Sequence, residues 1–439
     1  MSWKSYIKEA RATGRDLGDP DAAELKAILE KASAESLTLA ESNRLFNLIY
    51  SAEFPVLAEQ VLEASRKARE RVFGRKVAVM APVEVSNRCA SDCLFCGWRA
   101  SNPDIPRTKI SPELVLEQIK YLLDLGIGYV ELVGGDDFQF VQKELPDLAR
   151  ACRRLIAERN MDGHVCVCSM AVTEQHYRDW KSYGIDSMLV WQETYDPDLY
   201  AEKIVAGPKA RGITDAWQLG GRGDGYGFRA SSQERAMKAG LNVGLGFMLG
   251  LNPDINFEFL MTIQHVQHLV REFGSSRRRP IIIGMPTWNR ITTPRTDKRP
   301  SQMMDVETVF PFLSAVYFLS LPKGQVLVFP NCRVSIDAQI RAVEVAGPFT
   351  STEVKLGPGG YLPAVIRHKE SRGEDTAPLR RRILDEFGMD CADLAKMEDD
   401  LDEGEQFIHH FHSHKTYVER MAERGLEVVS FSELISMGG

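Results

Sequence analysis

The sequence predicts an α/β fold: a (β/α)8 TIM-type barrel with a helical extension before it and a small α+β cap after it. Three observations carry this reading. Short apolar runs recur at 77–85, 129–133, 164–168, 187–191, 242–249, 280–285, 325–329 and 348–354. Their near-continuous hydrophobicity is that of strands buried on both faces of a parallel sheet. Stretches of helical periodicity lie between them, as after Ser111-Pro112-Glu113, where serine suits the N-cap and proline the first helical position. The runs number as many as a closed parallel barrel needs, and such barrels collect their chemistry at the carboxyl ends of the strands.

Residues 1–75 read as helices, with apolar spacing of about 3.6 over 21–29, 39–50 and 55–72 and Gly74 as a stop signal. Residues 76–365 are the barrel, and 366–439 form a capping region. Within that cap, 406–429 reads as strand, helix, strand, too poor in apolar residues to stand alone. Hydrophobic residues at 44% and charged residues at 26% are ordinary for a soluble globular enzyme. A net charge of −7 argues against a nucleic-acid binder. No run of eighteen or more apolar residues occurs and the first residues are polar, so no membrane partner and a cytoplasmic location are expected. Eight cysteines in so long a chain do not make a disulfide framework.

Three of those cysteines, Cys89, Cys93 and Cys96, stand in a C-x3-C-x2-C spacing just after the first strand. Three thiolates on one loop can hold three irons of a [4Fe-4S] cluster and leave the fourth iron open for a ligand. Zinc would want a fourth ligand nearby, and the next cysteine is Cys152. Three purely structural cysteines remain an alternative. With Phe95 before the last cysteine, the motif resembles the radical S-adenosylmethionine (SAM) superfamily. That resemblance implies a [4Fe-4S] cluster at Cys89, Cys93 and Cys96, SAM chelated by the open iron, and reductive cleavage of SAM to a 5′-deoxyadenosyl radical. A reducing electron donor such as a flavodoxin or ferredoxin is implied as partner.

Further motifs narrow the resemblance. Gly134-Gly135-Asp136 follows the second strand, where the superfamily holds the SAM amino group, usually with Glu in place of Asp. Gln192-Glu193-Thr194-Tyr195 follows the fourth strand, with Gly207-Pro208-Lys209 beyond it. This pair resembles the aromatic amino-acid lyase and biotin-synthase-like branch: thiamine-biosynthesis tyrosine lyase, thiopeptide tryptophan lyase and the tyrosine-cleaving hydrogenase maturase. By that resemblance Glu193 contacts SAM, Arg235 meets its carboxylate, and Phe95 and Gly246 lie against adenine. Glu193, Tyr195 and Arg333 are the expected catalytic groups, with Arg333 at the end of the seventh strand gripping a substrate carboxylate. The implied activity is hydrogen abstraction from a small amino-acid-like substrate, leading to carbon–carbon cleavage or rearrangement.

Two other readings stand beside it. Cys166 and Cys168 share one face of the third strand and could serve an auxiliary cluster for sulfur insertion, or pack as small hydrophobes. A non-catalytic iron–sulfur carrier is the third. His410, His412 and His414 share one face if 406–429 opens as a strand, and read as exposed there. The glycine-rich run 221–227 lacks the context of a dinucleotide loop and reads as a lid near the mouth.

Overall fold

The computed structural model describes residues 3–274, 279–288, 305–388, 406 and 410–436. Its centre is a parallel barrel of eight strands. They are β1 (Lys76–Ser86), β3 (Tyr129–Gly134), β4 (His164–Cys168), β5 (Ser187–Leu189), β7 (Asn242–Leu245), β8 (Ile281–Gly284), β9 (Val326–Phe329) and β10 (Phe349–Ser351). A short β2 (Asp92–Cys93) pairs antiparallel with β6 (Ile204–Ala206) above the barrel. Around the ring the order is β10-β1-β3-β4-β5-β7-β8-β9. The last gap, between β9 and β10, is closed by side chains: the Thr350 hydroxyl donates to Pro330 O at 2.8 Å and Gln339 Nε2 donates to Ser351 O at 3.0 Å.

Each predicted run lies on a strand, but four strands end early. β5 stops at Leu189 rather than at Trp191, and β7 at Leu245 rather than Leu249. The apolar residues past those ends line or pack around the mouth instead of extending a ladder. Helices alternate with the strands as their caps require. The Ser111 hydroxyl accepts from Leu114 N ahead of helix Pro112–Asp124, and Thr173 accepts from His176 N ahead of Glu174–Ser182.

The N-terminal helices are Trp3–Thr13, Ala22–Ala32, Leu39–Asn47 and Phe54–Phe73. The first of these lies before the earliest predicted helix, and its Trp3 packs on Tyr195 and His265 at centroid distances of 6.2 and 4.8 Å. Leu39–Asn47 begins with a complete capping box between Thr38 and Glu41.

The cap differs from expectation at its start. Residues 410–413 are loop rather than strand, and helix His414–Glu423 leads to β11 (Glu427–Val429) and helix Phe431–Ser436. β11 adds parallel to the amino end of β1, pairing Lys76 with Glu427. Phe431 then seals the barrel floor against Tyr129, His164 and Phe349, at 4.7–5.0 Å. The three histidines therefore share no strand face: His412 is buried and stacked on Tyr417 at 4.6 Å, while His414 opens the helix. Residues 407–409 lie outside the described ones.

Candidate active site

The loop after β1 carries the three cysteines and is pinned from several sides. The Arg107 guanidinium donates to the carbonyls of Asn87 (3.0 Å), Trp98 (2.7 Å) and Asn102 (2.9 Å). The end of β3 presses against the loop. A Cβ on Gly135 would stand 2.3 Å from Arg88 O and 2.9 Å from Cys89 Cβ, so only glycine allows this approach. Ala90 N donates to Asp136 O at 3.0 Å, and Asp136 N donates to Cys89 Sγ at 3.3 Å. From the far side β6 pairs with β2, and Leu94 N donates to Lys203 O at 2.8 Å. Gly207 at φ 82° crosses Ala90, where a Cβ would meet its carbonyl at 2.1 Å.

These contacts wall a cavity of ≈ 180 Å³ at the carboxyl ends of the strands. One water needs roughly 10–15 Å³ on that measure, so the space suits a cofactor and a small substrate. Cys89, Cys93 and Cys96 form one wall; Gly134, Gly135, Asp136, Glu193 and Arg333 also line it. Phe95 lies in a small apolar cluster with Met248 and Trp288; Asn289 and Arg290, the next two residues of the chain, lie outside the described residues.

Glu193 is the electrostatic hub. It adopts φ 70°, a strained choice for a non-glycine residue, and is only 4% exposed. Its Oε1 meets Lys209 Nζ at 2.9 Å and Arg229 at 3.4 Å. Burial pushes its carboxyl pKa up, but the two cations outweigh that and hold it below the usual range. Burial likewise opposes the Lys209 charge, and Glu193 overrides it to raise that pKa. Lys209 N also donates to the Ser91 hydroxyl at 3.0 Å, and that hydroxyl donates to Asp136 Oδ2. The Gly-Pro-Lys segment thus ties the cysteine loop to the fourth strand's end.

Tyr195 and Arg235 stand outside this cavity, contrary to expectation. The left-handed turn at Glu193 breaks strand alternation, so Tyr195 passes through the wall. Its hydroxyl bonds His265 Nδ1 at 2.9 Å and its amide donates to Glu258 Oε2 at 2.7 Å. The Arg235 guanidinium is spent on Val172 O, the Ser231 hydroxyl and Phe228 O. Arg229, one helix earlier, lines the cavity instead, as do Arg99 and Arg333. It belongs to helix Gly225–Ala230, which grows out of the glycine-rich run read as a lid. The spacing of Tyr226 and Arg229, neighbours on one helical face, was the available signal. Gly246 does not line the cavity; it lets β7 approach β8, where a Cβ would collide with Gly284 O at 1.9 Å.

The donor set fits an iron–sulfur cluster. Among the described residues no group of three His, Cys, Asp or Glu side chains is arranged to hold a metal ion, whereas the three thiols face one cavity, as spread iron corners require. Burial pushes the Cys89 thiol up to about 12 and raises Cys93 and Cys96, so ligation must displace protons. Cys166 is fully buried beside Tyr129 and Ser187, below the mouth, while Cys168 reaches the cavity.

Comparison with known proteins agrees with this geometry. Residues 83–266 match the model of the radical SAM superfamily. These residues form a radical SAM domain. The chain is 25% identical over 342 residues to 2-iminoacetate synthase of Escherichia coli (strain K12), covering 76% of this chain and 81% of that one. With the Salmonella typhimurium 2-iminoacetate synthase it shares 26% over 239 residues, which span 53% of this chain and 56% of that one. The [FeFe]-hydrogenase maturase HydG from Carboxydothermus hydrogenoformans superposes with a TM-score of 0.72 at 20% identity, over 98% of this chain and 85% of that one. That likeness establishes the barrel fold for this chain. A [4Fe-4S] cluster and SAM are the cofactors of the domain, and the three thiols line one cavity. No helix among the described residues is long and apolar enough to cross a membrane.

Proposed function

We propose that this radical SAM enzyme acts on a small amino acid or related carboxylate, with a lyase-type outcome in which a carbon–carbon bond is cleaved or rearranged. One observation carries the reading: a single cavity is lined both by the three thiols and by Arg333. When bound, the cluster and SAM supply a 5′-deoxyadenosyl radical on receipt of one electron, here from a flavodoxin- or ferredoxin-like donor in the cytoplasm. The chain's own residues bind, orient and exclude water.

Cys89, Cys93 and Cys96 would ligate the cluster, with the Asp136 amide directed at Cys89 sulfur. The Asp136 and Glu193 carboxylates offer acceptors for the SAM ammonium and ribose, and Arg229 and Lys209 suit its carboxylate. Arg333, desolvated at the mouth, is matched to the substrate carboxylate. Gln406 closes over the cysteine loop, its carbonyl accepting from Gly97 N at 3.4 Å, which helps keep water from a reactive intermediate.

The test is anaerobic reconstitution with SAM, a reductant and a panel of amino acids, following 5′-deoxyadenosine release. One or a few amino acids should accelerate it; a flat response across the panel removes the substrate reading. Arg333→Ala should weaken substrate binding by about tenfold or more, the loss of a charge-assisted bond, while basal SAM cleavage survives. Equal loss of both would place Arg333 with the cofactor or the fold.

A further inference from the structure

Below the mouth, the cavity contains an acidic group that none of the roles above uses. Glu131 lies on β3, lines the cavity and is 7% exposed. The other carboxylates of the cavity wall are engaged: Asp136 by Ser91, Glu193 by Lys209 and Arg229, and Glu84 by the Gly357 amide at 2.6 Å. Among the described residues the hydrogen-bond partner of Glu131 is the thiol of Cys168, on the neighbouring strand. A thiol is a weak donor, and a buried carboxylate with so little compensation is costly. Burial accordingly pushes the Glu131 carboxyl up to about 7, although Cys168 and the field of Arg333 both act to lower it.

Depth distinguishes this group from Arg333. Arg333 stands four residues past the end of β9, at the mouth, whereas Glu131 stands three residues before the end of β3. Along the backbone, at roughly 3.3 Å per residue, Glu131 lies about 10 Å below the end of β3, while the field of the Arg333 guanidinium still reaches it. A ligand held at both places needs its charged ends several bonds apart, a separation that an α-ammonium beside its own carboxylate does not provide.

We propose that Glu131 pairs with a cationic group at the far end of the substrate side chain, so that this cavity selects a basic amino acid. The proposal rests on the amino-acid reading of Arg333 and deepens it. An ammonium or guanidinium would supply the charge and donors that Glu131 lacks, and a cation compensates a buried carboxylate better than a neutral donor does. Removing the cation from the ligand then leaves Glu131 unpaired, the kind of mismatch from which binding sites draw large discrimination.

The experiment is calorimetric binding to the anaerobically reconstituted protein in the presence of SAM, comparing lysine with norleucine, arginine with citrulline, and tyrosine with phenylalanine. Lysine or arginine should bind at least about tenfold tighter than its uncharged analogue, and the preference should collapse in Glu131→Gln. Cys168→Ala, which keeps the carboxylate, should retain it. A thermal melt of each variant separates lost recognition from lost folding. Equal binding of charged and uncharged partners overturns the proposal, as does a preference for tyrosine over lysine and arginine. If amino acids bind without regard to side-chain charge, the substrate reading survives and Glu131 fails. If no amino acid binds at all, both fall.

Discussion

Gly135 and Glu193 show how single positions set up this cavity. Gly135→Ala would drive a methyl into Arg88 O and Cys89. It should cost about 1–3 kcal/mol of stability and, because the displaced atoms carry a ligand, most of the reconstituted iron. Iron assay and thermal melting of the same sample check both. Glu193→Gln leaves Lys209 and Arg229 facing each other without their carboxylate. The expected loss is about 3–5 kcal/mol, as for other broken buried pairs, seen in denaturant unfolding. These positions also show what could be read beforehand. The cysteine spacing and the Gly-Gly-Asp and Gln-Glu-Thr-Tyr segments were legible because each is a local pattern with a chemical reason. The outward path of Tyr195 was not, since it depends on one left-handed residue, and neither was the exchange of Arg235 for Arg229, which depends on where a short helix points.

Helix Ile255–Phe273 is buried on nearly every side and carries two titratable groups whose effects oppose each other. Burial raises the Glu258 carboxyl to about 7 despite donors from Thr194, the Tyr195 amide and Asn252. Burial lowers His265 to about 3, with His268 adding to the effect. Glu258 binds its proton more tightly folded than unfolded, so its contribution is complete below about pH 4.5 and is lost as pH rises through about 7. His265 does the reverse, contributing above about pH 6.5 and losing that contribution as pH falls toward 3. His265→Asn should therefore lose less stability than the parent between pH 6.5 and 4, by on the order of a few kcal/mol. Melting temperatures across that range decide it; parallel curves would mean that His265 is not kept neutral. Hydrophobic periodicity marked this segment as an interstrand helix, but not its buried polar groups, whose partners Thr194 and Tyr195 lie more than sixty positions away.

The barrel as a whole was the most legible feature, because its strands announce themselves as apolar runs and the helices between them by their caps. The cap was less so. Residues 410–413 alternate in character yet run as loop, since β11 and Phe431 take the contacts with β1 and the barrel floor. Among the described residues the cavity is lined by the trio Cys89, Cys93 and Cys96 on one loop and by Cys168 and Cys332 on separate elements, while Cys166 is bonded into the interior with Tyr129 and Ser187. Anaerobic reconstitution should give about four irons per chain, with clearly more pointing to an auxiliary cluster. Triple replacement of Cys89, Cys93 and Cys96 by alanine should abolish the bound iron while leaving the melting profile of the barrel recognisable.

Gln406 rests on the loop that carries Cys89, Cys93 and Cys96, although it lies far along the chain from them. A ribosome releases the cysteine loop long before it releases that glutamine. During synthesis the sulfurs therefore face the surroundings while most of the barrel assembles, and metal delivery has a window that shuts when the tail docks. Chains purified without iron would have to lift that contact again, which makes slow uptake into finished protein, and faster uptake after Gln406→Gly, the natural outcome of this architecture.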